Sequence, residues 1–495
     1  MTKKLQTASL LLLTALLAGA VVSCGAEASS GSTGDGADAD GSAAVTAETE
    51  PVETHPMITA LADADYEGYT FGILGEQMRD HIFVEEPDGD VINDAIYRRN
   101  TEIEERYNVK LDYNIVAWKE APAIIQSEVM AGDSTYDLTT STHLYLGSAL
   151  TGNYFRDWNS IPNIDLSKPY YVADANKTYS IGDKTMLLFG DFMDSNINCC
   201  WVYVFNKRLA GDYDLPDLYE IVDSGKWTID TVISLVKDVE TDLNGDGVMD
   251  DSDFYGFSTD IYAAVDSYTR TFGLSAISKN AENYPVLDFF KESTVDAYSV
   301  LYNLYYNTPG VHYVEGAFAQ IAKSFIPGNA IFSNGLMNSL YSADMRDMKD
   351  DYGVLPYPKL NESQEGYYTY LDGTFSSQMV LVSSSEDKLE RTGMITEALN
   401  AYSYEYVRSA IYDTALKVKA ARDEASIRML DLVLDGRRFS FESFDEDSFK
   451  LSPTNALRSN IQGKKDNIAS YYEKNQKSCE KWVTSMIDAF NASSN

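Results

Sequence analysis

Tyr69-Thr-Phe-Gly-Ile-Leu74 has the alternating pattern of a β-strand and ends before a glycine. The chain then predicts a helix from Ala95 to Tyr107, a strand over Asn108–Val116, a helix from Ala123 to Ala131 and a strand over Tyr136–Thr140. Strands that alternate with helices at these spacings form a βαβ series and indicate a parallel sheet. The expected fold class is therefore α/β.

The same series predicts where a ligand would bind. In an open sheet of this kind, ligands lie beyond the carboxyl ends of the strands. Glu76–Arg79 follows the first strand, Trp118 follows the second, and Ser141–His143 follows the third. We expect these residues to line one wall of a ligand cleft.

The N-terminus carries the features of an export signal. Lys3 and Lys4 precede an almost entirely apolar run from Leu10 to Ala20, and small residues then lead to a cysteine. The run is shorter than the roughly 20 apolar residues of a membrane span. Val21-Val-Ser-Cys24 resembles the lipobox of bacterial lipoproteins.

The lipobox resemblance implies cleavage before Cys24, diacylglycerol on its thiol and usually an acyl chain such as palmitate on its amine. Residues 1–23 would then be a lipoprotein signal peptide. The mature protein would be anchored to the cell membrane and would face the extracellular side or the periplasm. An ordinary secretory signal with a chance cysteine is the alternative.

Residues 24–56 are predicted to be a flexible, lipid-anchored linker. After Cys24 they consist almost entirely of Ala, Gly, Ser, Thr, Asp and Glu, which offer little surface to bury. The following residues, about 440 in number, are too many for one compact core and favour two lobes or domains.

Charge and cysteine content exclude several classes of function. The chain has 39 Lys and Arg against 76 Asp and Glu, a formal net charge of −37, which disfavours a nucleic-acid role. Besides Cys24 there are three cysteines, and an odd number argues against a disulfide framework. Cys199 and Cys200 are expected to be buried thiols, with a strained vicinal disulfide as the alternative. The 4 histidines show no metal-ligand spacing.

Five segments spread over most of the folded chain together resemble the family 1 extracellular solute-binding proteins. They are Asn93–Val109, Ile164–Tyr170, Val204–Arg208, Gly225–Ile229 and Tyr352–Lys359. Members of this family are lipid-anchored receptors of ABC importers, most often for sugars. The order and spacing of the five segments carry the resemblance.

The resemblance implies a two-lobed, periplasmic-binding-protein-like fold with three hinge crossings and a central ligand cleft. The crossings are expected near Asp191–Asn198, Ile331–Gly335 and Met379–Ser383. The N-terminal lobe would comprise residues 57–193 and 335–381, and the C-terminal lobe residues 199–332 and 385–495.

The resemblance also implies a function without covalent chemistry, so we do not expect an enzyme. A sugar or oligosaccharide would bridge the lobes and favour the closed arrangement by binding it more tightly. The closed receptor would then deliver its ligand to the transmembrane subunits of an ABC permease.

A sugar site needs flat aromatic side chains for the ring faces and short polar side chains for the hydroxyl groups. The chain has 35 tyrosines and 5 tryptophans. The ligand-binding candidates in loops expected to face the cleft are Trp118, His143, Asp191, Asp194, Tyr262, Asn334 and Phe375, with Asn196, Asp266, Asn338 and Asp372 as further candidates. Trp201 is expected in the core, and Trp158 and Trp227 are expected against local turns.

Other functions remain open at this point. A lipid-anchored extracellular glycoside hydrolase would use paired carboxylates, although the sequence has no Gly-x-Ser-x-Gly elbow, His-Glu-x-x-His zinc motif or phosphate loop. A surface adhesin would not need two lobes and a hinge. Within the binding-protein class, the ligand could also be a peptide or another solute.

Asp242–Asp253 has the ligand spacing of a calcium-binding EF-hand loop. Its ligands would be Asp242, Asn244, Asp246, the Val248 carbonyl, Asp250 and Asp253, with Gly247 at the sharp turn. Asp replaces the usual Glu at the last position, as in dockerin-type loops. We expect a structural Ca²⁺ site away from the sugar, and a solvated acidic turn is the alternative.

Overall fold

The structure, a computed structural model, describes residues 54–492 except 422, 447, 466 and 467. The predicted signal peptide and the predicted lipidation site, Cys24, therefore lie outside the described residues, as does nearly all of the predicted linker. Within the described ranges, no helix is both long enough and apolar enough to cross a membrane.

The first sheet has four strands and belongs to the first lobe. Their order is Ser376–Met379, Leu138–Thr142, Tyr69–Gln77 and Val109–Ala117. The last three are parallel, and Ser376–Met379 runs antiparallel to its neighbour. The helices Val91–Tyr107 and Ala121–Ala131 connect the parallel strands. The predicted βαβ series and the α/β class are thus confirmed.

The helix Val91–Tyr107 begins before Ala95, where the sequence pattern had placed its start. Asp90 caps it, because its side chain accepts hydrogen bonds from the N–H groups of Ile92 and Asn93. Asn108 ends it in the left-handed conformation, with φ of 48°.

The second sheet has six strands and belongs to the second lobe. The order is Tyr352–Leu355, Trp201–Asn206, Ala330–Leu336, Phe254–Asp260 and Glu240–Thr241, and Val311–Val314 also pairs with Phe254–Asp260. Ala330–Leu336 is parallel to Phe254–Asp260 and antiparallel to Trp201–Asn206. An aromatic core beside this sheet includes Trp201 and Trp227, which are both fully buried. The expected core position of Trp201 is confirmed.

The remaining elements connect and cover the two sheets. The other α-helices are Pro56–Thr59, Gly147–Thr151, Ala173–Tyr179, Ser195–Asn198, Lys207–Asp212, Leu218–Asp223, Ile229–Val236, Ala263–Thr271, Glu292–Tyr306, Ala343–Arg346, Glu386–Tyr402, Glu424–Asp435, Pro453–Gln462 and Ile468–Ala492. Short 3₁₀-helices span His143–Tyr145, Trp158–Ser160, Met337–Tyr341 and Phe441–Asp445, and π-helical turns span Ile321–Phe325, Ser403–Arg408 and Ala410–Ala420. Two small sheets pair Thr369–Tyr370 with Arg437–Arg438 and Ile277–Lys279 with Pro285–Leu287.

The chain passes between the lobes at residues 192–200, 371–375 and 403–423. The first passage leads into the strand Trp201–Asn206, and the second leads back into Ser376–Met379. The third is largely π-helical and leads into the helix Glu424–Asp435, which packs beside the second sheet. Cys199 and Cys200 lie in the first passage as buried free thiols, as expected.

Two of the predicted crossings are wrong. Ile331–Gly335 lies inside the strand Ala330–Leu336 of the second sheet, and Met379 ends a strand of the first sheet. The physical reason is that Tyr352–Leu355 pairs antiparallel with Trp201–Asn206. After the strand Ala330–Leu336, the chain therefore stays in the second lobe and adds the strand Tyr352–Leu355 to the second sheet before it crosses to the first lobe.

The lobe boundaries change accordingly. The strand Tyr352–Leu355 belongs to the second lobe, although residues 335–381 were assigned to the first. The helix Glu386–Tyr402 belongs to the first lobe, although residues 385–495 were assigned to the second. Its Leu389 and Ile395 share a core with Phe71 of the first sheet. An amphipathic helix carries no sequence signal for which of two sheets it covers.

The C-terminal helix Ile468–Ala492 contacts both lobes. It packs against Gly147–Thr151 of the first lobe and Pro285–Leu287 of the second. At its end, Lys184 Nζ donates to the carbonyl of Phe490 at 3.0 Å. This helix therefore spans the junction between the lobes.

Candidate functional site

Glu76 joins the carboxyl ends of the three parallel strands of the first lobe. Its carboxylate accepts the backbone N–H of Lys119 at 2.5 Å and that of Thr142 at 2.8 Å, and the hydroxyl of Ser141 donates to it at 3.2 Å. Only 5% of Glu76 is exposed. A buried carboxylate that accepts three hydrogen bonds fixes the loops that follow these strands.

The loops held by Glu76 present an aromatic and cationic surface. Trp118 is 38% exposed, and its ring centroid lies 5.9 Å from that of Tyr145. Lys119 Nζ lies 4.1 Å from the Trp118 centroid and 4.9 Å from the Tyr145 centroid. Trp118 therefore lies just beyond the second strand, next to two side chains that the sequence did not single out, and its contact with a ligand stays a prediction.

Asp260 plays a comparable role in the second lobe, at the end of the strand Phe254–Asp260. Its carboxylate accepts the backbone N–H of Tyr262 at 2.7 Å, of Ala264 at 3.0 Å and of Phe318 at 3.1 Å. Burial raises the pKa of Asp260 above its usual value. Tyr262 is 44% exposed and Phe318 is 36% exposed, so the second lobe also presents aromatic rings to solvent.

Arg79 brings the two lobes into contact. Its guanidinium carbon lies 5.1 Å from the ring centroid of Phe318, and its Nε donates to Thr374 Oγ1 at 3.3 Å. Phe318 in turn stacks on Trp201, with centroids 5.6 Å apart and ring planes 27° apart. A cavity of about 290 Å³ lies beside this contact and is lined by Arg79, Phe318, Gln320 and Asn338 among others.

Asn334 lies behind this cavity and is fully buried. Its Oδ1 accepts from Thr259 Oγ1 at 3.1 Å and from Gln320 Nε2 at 3.2 Å. Asn334 Nδ2 and Gln320 Oε1 have no hydrogen-bond partner among the described residues. Asn334 therefore sits next to the cleft but does not reach solvent in this conformation.

His143 and Phe375 lie together, but in an enclosed aromatic cluster and not on an open cleft. Their ring centroids are 4.0 Å apart, and His143 bonds through Nδ1 to the Phe375 carbonyl at 3.1 Å and through Nε2 to Ser443 Oγ at 3.0 Å. Burial lowers the pKa of His143 to about 3, so the ring is neutral. The expected exposure of these two residues is corrected, because the turn Phe441–Asp445 covers them.

Asp191 and Asp194 lie next to or within the first passage between the lobes. Asp191 Oδ1 is 3.6 Å from Arg408 Nη1, and its Oδ2 has no partner among the described residues. Asp194 accepts hydrogen bonds from His81 and, at 3.0 Å, from Asn198 Nδ2. The structure places both carboxylates where they fix the hinge, and a ligand contact by either one stays a prediction.

Three of the four further candidates are partnered, and the fourth, Asn338, lines a cavity. Asn196 Nδ2 donates to the Gly190 carbonyl at 2.8 Å, and Asp372 Oδ1 accepts from Thr374 Oγ1 at 2.6 Å. Asp266 Oδ1 accepts from Arg458 Nε at 2.7 Å. Asn338 lines the cavity beside Arg79. Of the wider set, Asn338 is therefore the one placed on an interlobe cavity.

Sequence reasoning missed Phe318, Tyr145 and Lys119. Phe318 follows the strand Val311–Val314, which the sequence pattern did not reveal because His312 and Tyr313 interrupt its apolar run. Tyr145 and Lys119 lie one or two residues beyond predicted wall positions. A search of every loop that follows a strand would have found all three.

The Asp242–Asp253 loop has oxygen-rich, tightly turned geometry. Asp242 accepts the N–H of Gly245 at 2.6 Å and of Gly247 at 2.8 Å, and Gly247 has φ of 80°. Asp253 is fully buried and accepts the N–H of Leu243 at 2.9 Å. Carboxylate, amide and carbonyl oxygens are the donor types that Ca²⁺ prefers, so the composition of the loop suits the ion. Across the described residues, however, no three His, Cys, Asp or Glu side chains form a metal-binding group.

The sequence matches no protein-family model and no curated protein. Solved structures share the fold. M. tuberculosis UspC is 12% identical, with a TM-score of 0.54, and the match covers 85% of this chain and 100% of that one. A cyclo/maltodextrin-binding protein complexed with maltotetraose is 14% identical, with a TM-score of 0.52 and coverage of 86% and 98%. An ABC substrate-binding protein from Listeria monocytogenes in complex with cycloalternan is 11% identical, with a TM-score of 0.51 and coverage of 87% and 100%. These matches confirm the expected two-lobed, periplasmic-binding-protein-like fold.

Proposed function

We propose that this protein is the solute-binding receptor of an ABC transporter and that it captures a sugar or oligosaccharide between its lobes. The observation that carries the proposal is the pairing of the two-lobed fold with exposed aromatic rings after strands of both lobes. These rings are Trp118 and Tyr145 in the first lobe and Tyr262 and Phe318 in the second. Aromatic faces stack on the apolar faces of sugar rings. Two solved structures with the same fold hold maltotetraose and cycloalternan.

The cationic side chains beside these rings supply hydrogen-bond donors. Lys119 lies over Trp118 and Tyr145, and Arg79 lies over Phe318. Lysine and arginine side chains carry only donors, which suit the oxygen atoms of hydroxyl groups. Both cations belong to first-lobe loops, and Arg79 reaches across to Phe318, so donors lie beside aromatic rings of both lobes, as a sugar site requires.

Closure follows from contacts on both walls. A ligand that touches Trp118 in the first lobe and Tyr262 in the second binds the closed arrangement more tightly than the open one, and this difference shifts the population. The contact between Arg79 and Phe318 is one point at which the two lobes already meet. Binding alone accounts for this function, and the ligand is released unchanged.

The sequence supports a place for this receptor in the cell envelope. The lipobox ending at Cys24 would anchor the mature protein to the membrane, and residues 24–56 would let the lobes reorient above it. The receptor would deliver its ligand to the transmembrane permease subunits of the transporter.

The test is calorimetric titration with maltotetraose, cyclic tetrasaccharides, ribitol and a tetrapeptide, followed by small-angle scattering with the tightest ligand. We expect one-to-one binding of a saccharide and a smaller radius of gyration at saturation. No saccharide binding, or binding without contraction, would contradict the proposal. New reducing ends in the recovered ligand would indicate a hydrolase instead.

A second proposal concerns the loop Asp242–Asp253, which we propose binds Ca²⁺ through Asp242, Asn244, Asp246, the Val248 carbonyl, Asp250 and Asp253. The support is the EF-hand spacing together with the turn at Gly247. Bound Ca²⁺ would neutralise carboxylates that otherwise repel one another, and would thereby stabilise this edge of the second lobe.

A further inference from the structure

A second interlobe cavity, of about 800 Å³, lies where three parts of the chain meet. The helix Ala173–Tyr179 of the first lobe forms one side, the hairpin 277–287 of the second lobe forms another, and the segment 437–441 closes the third. The aromatic rings that we assign to the sugar cleft do not line it. This cavity is therefore a separate feature of the lobe junction.

Four cationic side chains line the cavity: Lys177, Lys279, Arg437 and Arg438. Asp174 is the one acidic residue among its lining residues. None of the four cations forms an ion pair with a carboxylate of the described residues. In a chain with 76 acidic and 39 basic residues, four cations around one cavity with a single acidic lining residue are unexpected.

Arg437 interacts electrostatically with the Asp191 carboxylate, whereas the contacts of the other three cations leave their charge unneutralised. Lys279 Nζ donates to the Ser180 carbonyl and lies 4.4 Å from the ring centroid of Phe441. Arg437 donates from Nε to the Leu434 carbonyl at 3.0 Å and from Nη1 to the Asn196 carbonyl at 3.1 Å. Carbonyl oxygens and a ring face orient the cations but supply no opposite charge. Desolvation accordingly lowers the pKa of Lys279 to about 8.

Ser440 gives an independent indication of a missing partner. It lines the same cavity, is only 2% exposed, and its hydroxyl has no hydrogen-bond partner among the described residues. Leaving a buried hydroxyl unsatisfied costs free energy. An acceptor oxygen in the cavity would contact the neighbouring cations directly, and the Ser440 hydroxyl, which is shielded from solvent, would join them after a change of rotamer.

We propose that this cavity binds an oxyanion, that is, the carboxylate, sulfate or phosphate group of a small molecule. Hydrogen bonds between cationic donors and anionic oxygens are the strong ones in proteins, and guanidinium groups match the geometry of oxyanions. Because Lys177 belongs to the first lobe and Lys279 to the second, the bound anion also links the lobes. Its binding then favours the arrangement in which these two side chains share one cavity.

The test uses calorimetry with sodium sulfate, sodium phosphate and sodium glucuronate in chloride buffer at constant ionic strength. We expect saturable binding of at least one of them to the wild-type protein. Tighter binding of glucuronate would identify a carboxylate on a saccharide, and tighter binding of sulfate or phosphate would identify a free inorganic anion. No saturable binding of any of the three would overturn the proposal.

Charge-removing variants test the location of the site. Lys177→Gln and Arg438→Gln alter exposed side chains, so both are expected to fold, which circular dichroism checks. Each variant should bind the anion about tenfold more weakly than the wild-type protein, because a hydrogen bond to a charged group contributes about that factor to the affinity. Lys110→Gln, which removes an exposed lysine elsewhere in the first lobe, should leave the affinity unchanged. Equal affinity in all four proteins would place the anion elsewhere and overturn the proposal.

The two binding proposals fail separately. Neutral maltotetraose tests the aromatic cleft, and inorganic sulfate tests the cationic cavity. A protein that binds sulfate but no neutral saccharide would contradict the sugar receptor alone. A protein that binds a neutral saccharide but no oxyanion would contradict the anion site alone.

Discussion

His81 Nδ1 lies 2.9 Å from Asp194 Oδ2, and the backbone N–H of His81 donates to the other carboxylate oxygen of Asp194 at 3.0 Å. This pair joins the loop after the first strand to the first passage between the lobes. Asp80 strengthens the connection, because its carboxylate accepts the N–H of Ser195 at 2.9 Å. The segment that carries Arg79 into the cleft is therefore fixed to the hinge.

The His81–Asp194 pair predicts a pH dependence of stability. The hydrogen bond and the charge of Asp194 raise the pKa of His81 from 6.5 to about 9, although about half of its side chain is exposed. A raised histidine pKa contributes stability fully below pH 6.5, and the contribution is lost as the pH rises through 9. Thermal unfolding between pH 6 and 10 should show this loss, and His81→Gln should lack it.

Asp80 titrates in a different window and serves as the control. Burial, together with repulsion from Asp194, raises the pKa of Asp80 from 3.8 to about 7. Because the pKa is raised, the contribution of Asp80 to stability is complete below pH 3.8 and is lost as the pH rises from 3.8 to 7. This range lies below the main His81 range. Asp80→Asn should therefore flatten the profile below pH 7 and preserve the loss between pH 7 and 9. An unchanged profile above pH 7 in His81→Gln would contradict the assignment.

Tyr262 offers a direct test of the sugar cleft. We expect Tyr262→Ala to weaken saccharide binding about tenfold or more, because stacking of an aromatic ring contributes about 0.5–1.5 kcal/mol beyond the area it buries. Calorimetry measures the change. Tyr213→Ala is the matched control, since Tyr213 is 42% exposed in the same lobe but stacks on Phe254, at the opposite end of the strand that leads to Tyr262. Equal losses in both variants would point to a general effect on the second lobe.

The sequence predicted the first sheet well because its signals are local. Alternation over Tyr69–Leu74 and the helix that ends at Tyr107 depend on side chains within a few residues of one another. Because parallel strands end at the same edge of a sheet, the parallel order also predicted that the loops after these strands lie together. This is why Trp118 could be predicted to follow the carboxyl end of the second strand.

The hinge could not be predicted as well, because it depends on pairings distant in sequence. Tyr352–Leu355 joins the second sheet through Trp201–Asn206, about 150 residues earlier, and no local pattern encodes that partner. His143 shows the same limit at the site. It follows a strand as expected, but Ser443, 300 residues later, covers it. Local pattern places a side chain at a strand end, and tertiary contacts decide whether it reaches solvent.

The loop Asp242–Asp253 predicts a calcium-dependent melting temperature. Extracellular modules bind Ca²⁺ with Kd values of about 10⁻⁴ to 10⁻³ M, so millimolar calcium should raise the melting temperature modestly. A chelator should lower it again, and Asp242→Ala should abolish the response. Saccharide affinity should change little, because the loop lies outside the cleft. If adding calcium to demetallated protein does not change the melting temperature, the calcium proposal is contradicted and the loop is a solvated turn.

Glu76 predicts a coupling between stability and ligand affinity. Glu76→Ala removes the acceptor for the N–H groups of Lys119 and Thr142, and leaving the buried Thr142 donor unpaired costs about 1–3 kcal/mol.

Glu76→Gln keeps one acceptor oxygen in nearly the same place, so denaturant unfolding should show a smaller loss than for Glu76→Ala. Because Lys119 and Trp118 are held through this carboxylate, saccharide affinity should fall in the same order, with alanine below glutamine and glutamine below wild type. Glu104→Ala is the comparison. Glu104 accepts a single backbone N–H, from Leu111 at 2.8 Å, near the opposite end of the second strand. The Glu104→Ala variant should be less stable than wild type but should bind the saccharide with unchanged affinity. If both alanine variants reduced the affinity for the saccharide equally, Glu76 would act on the whole first lobe and not on the cleft wall.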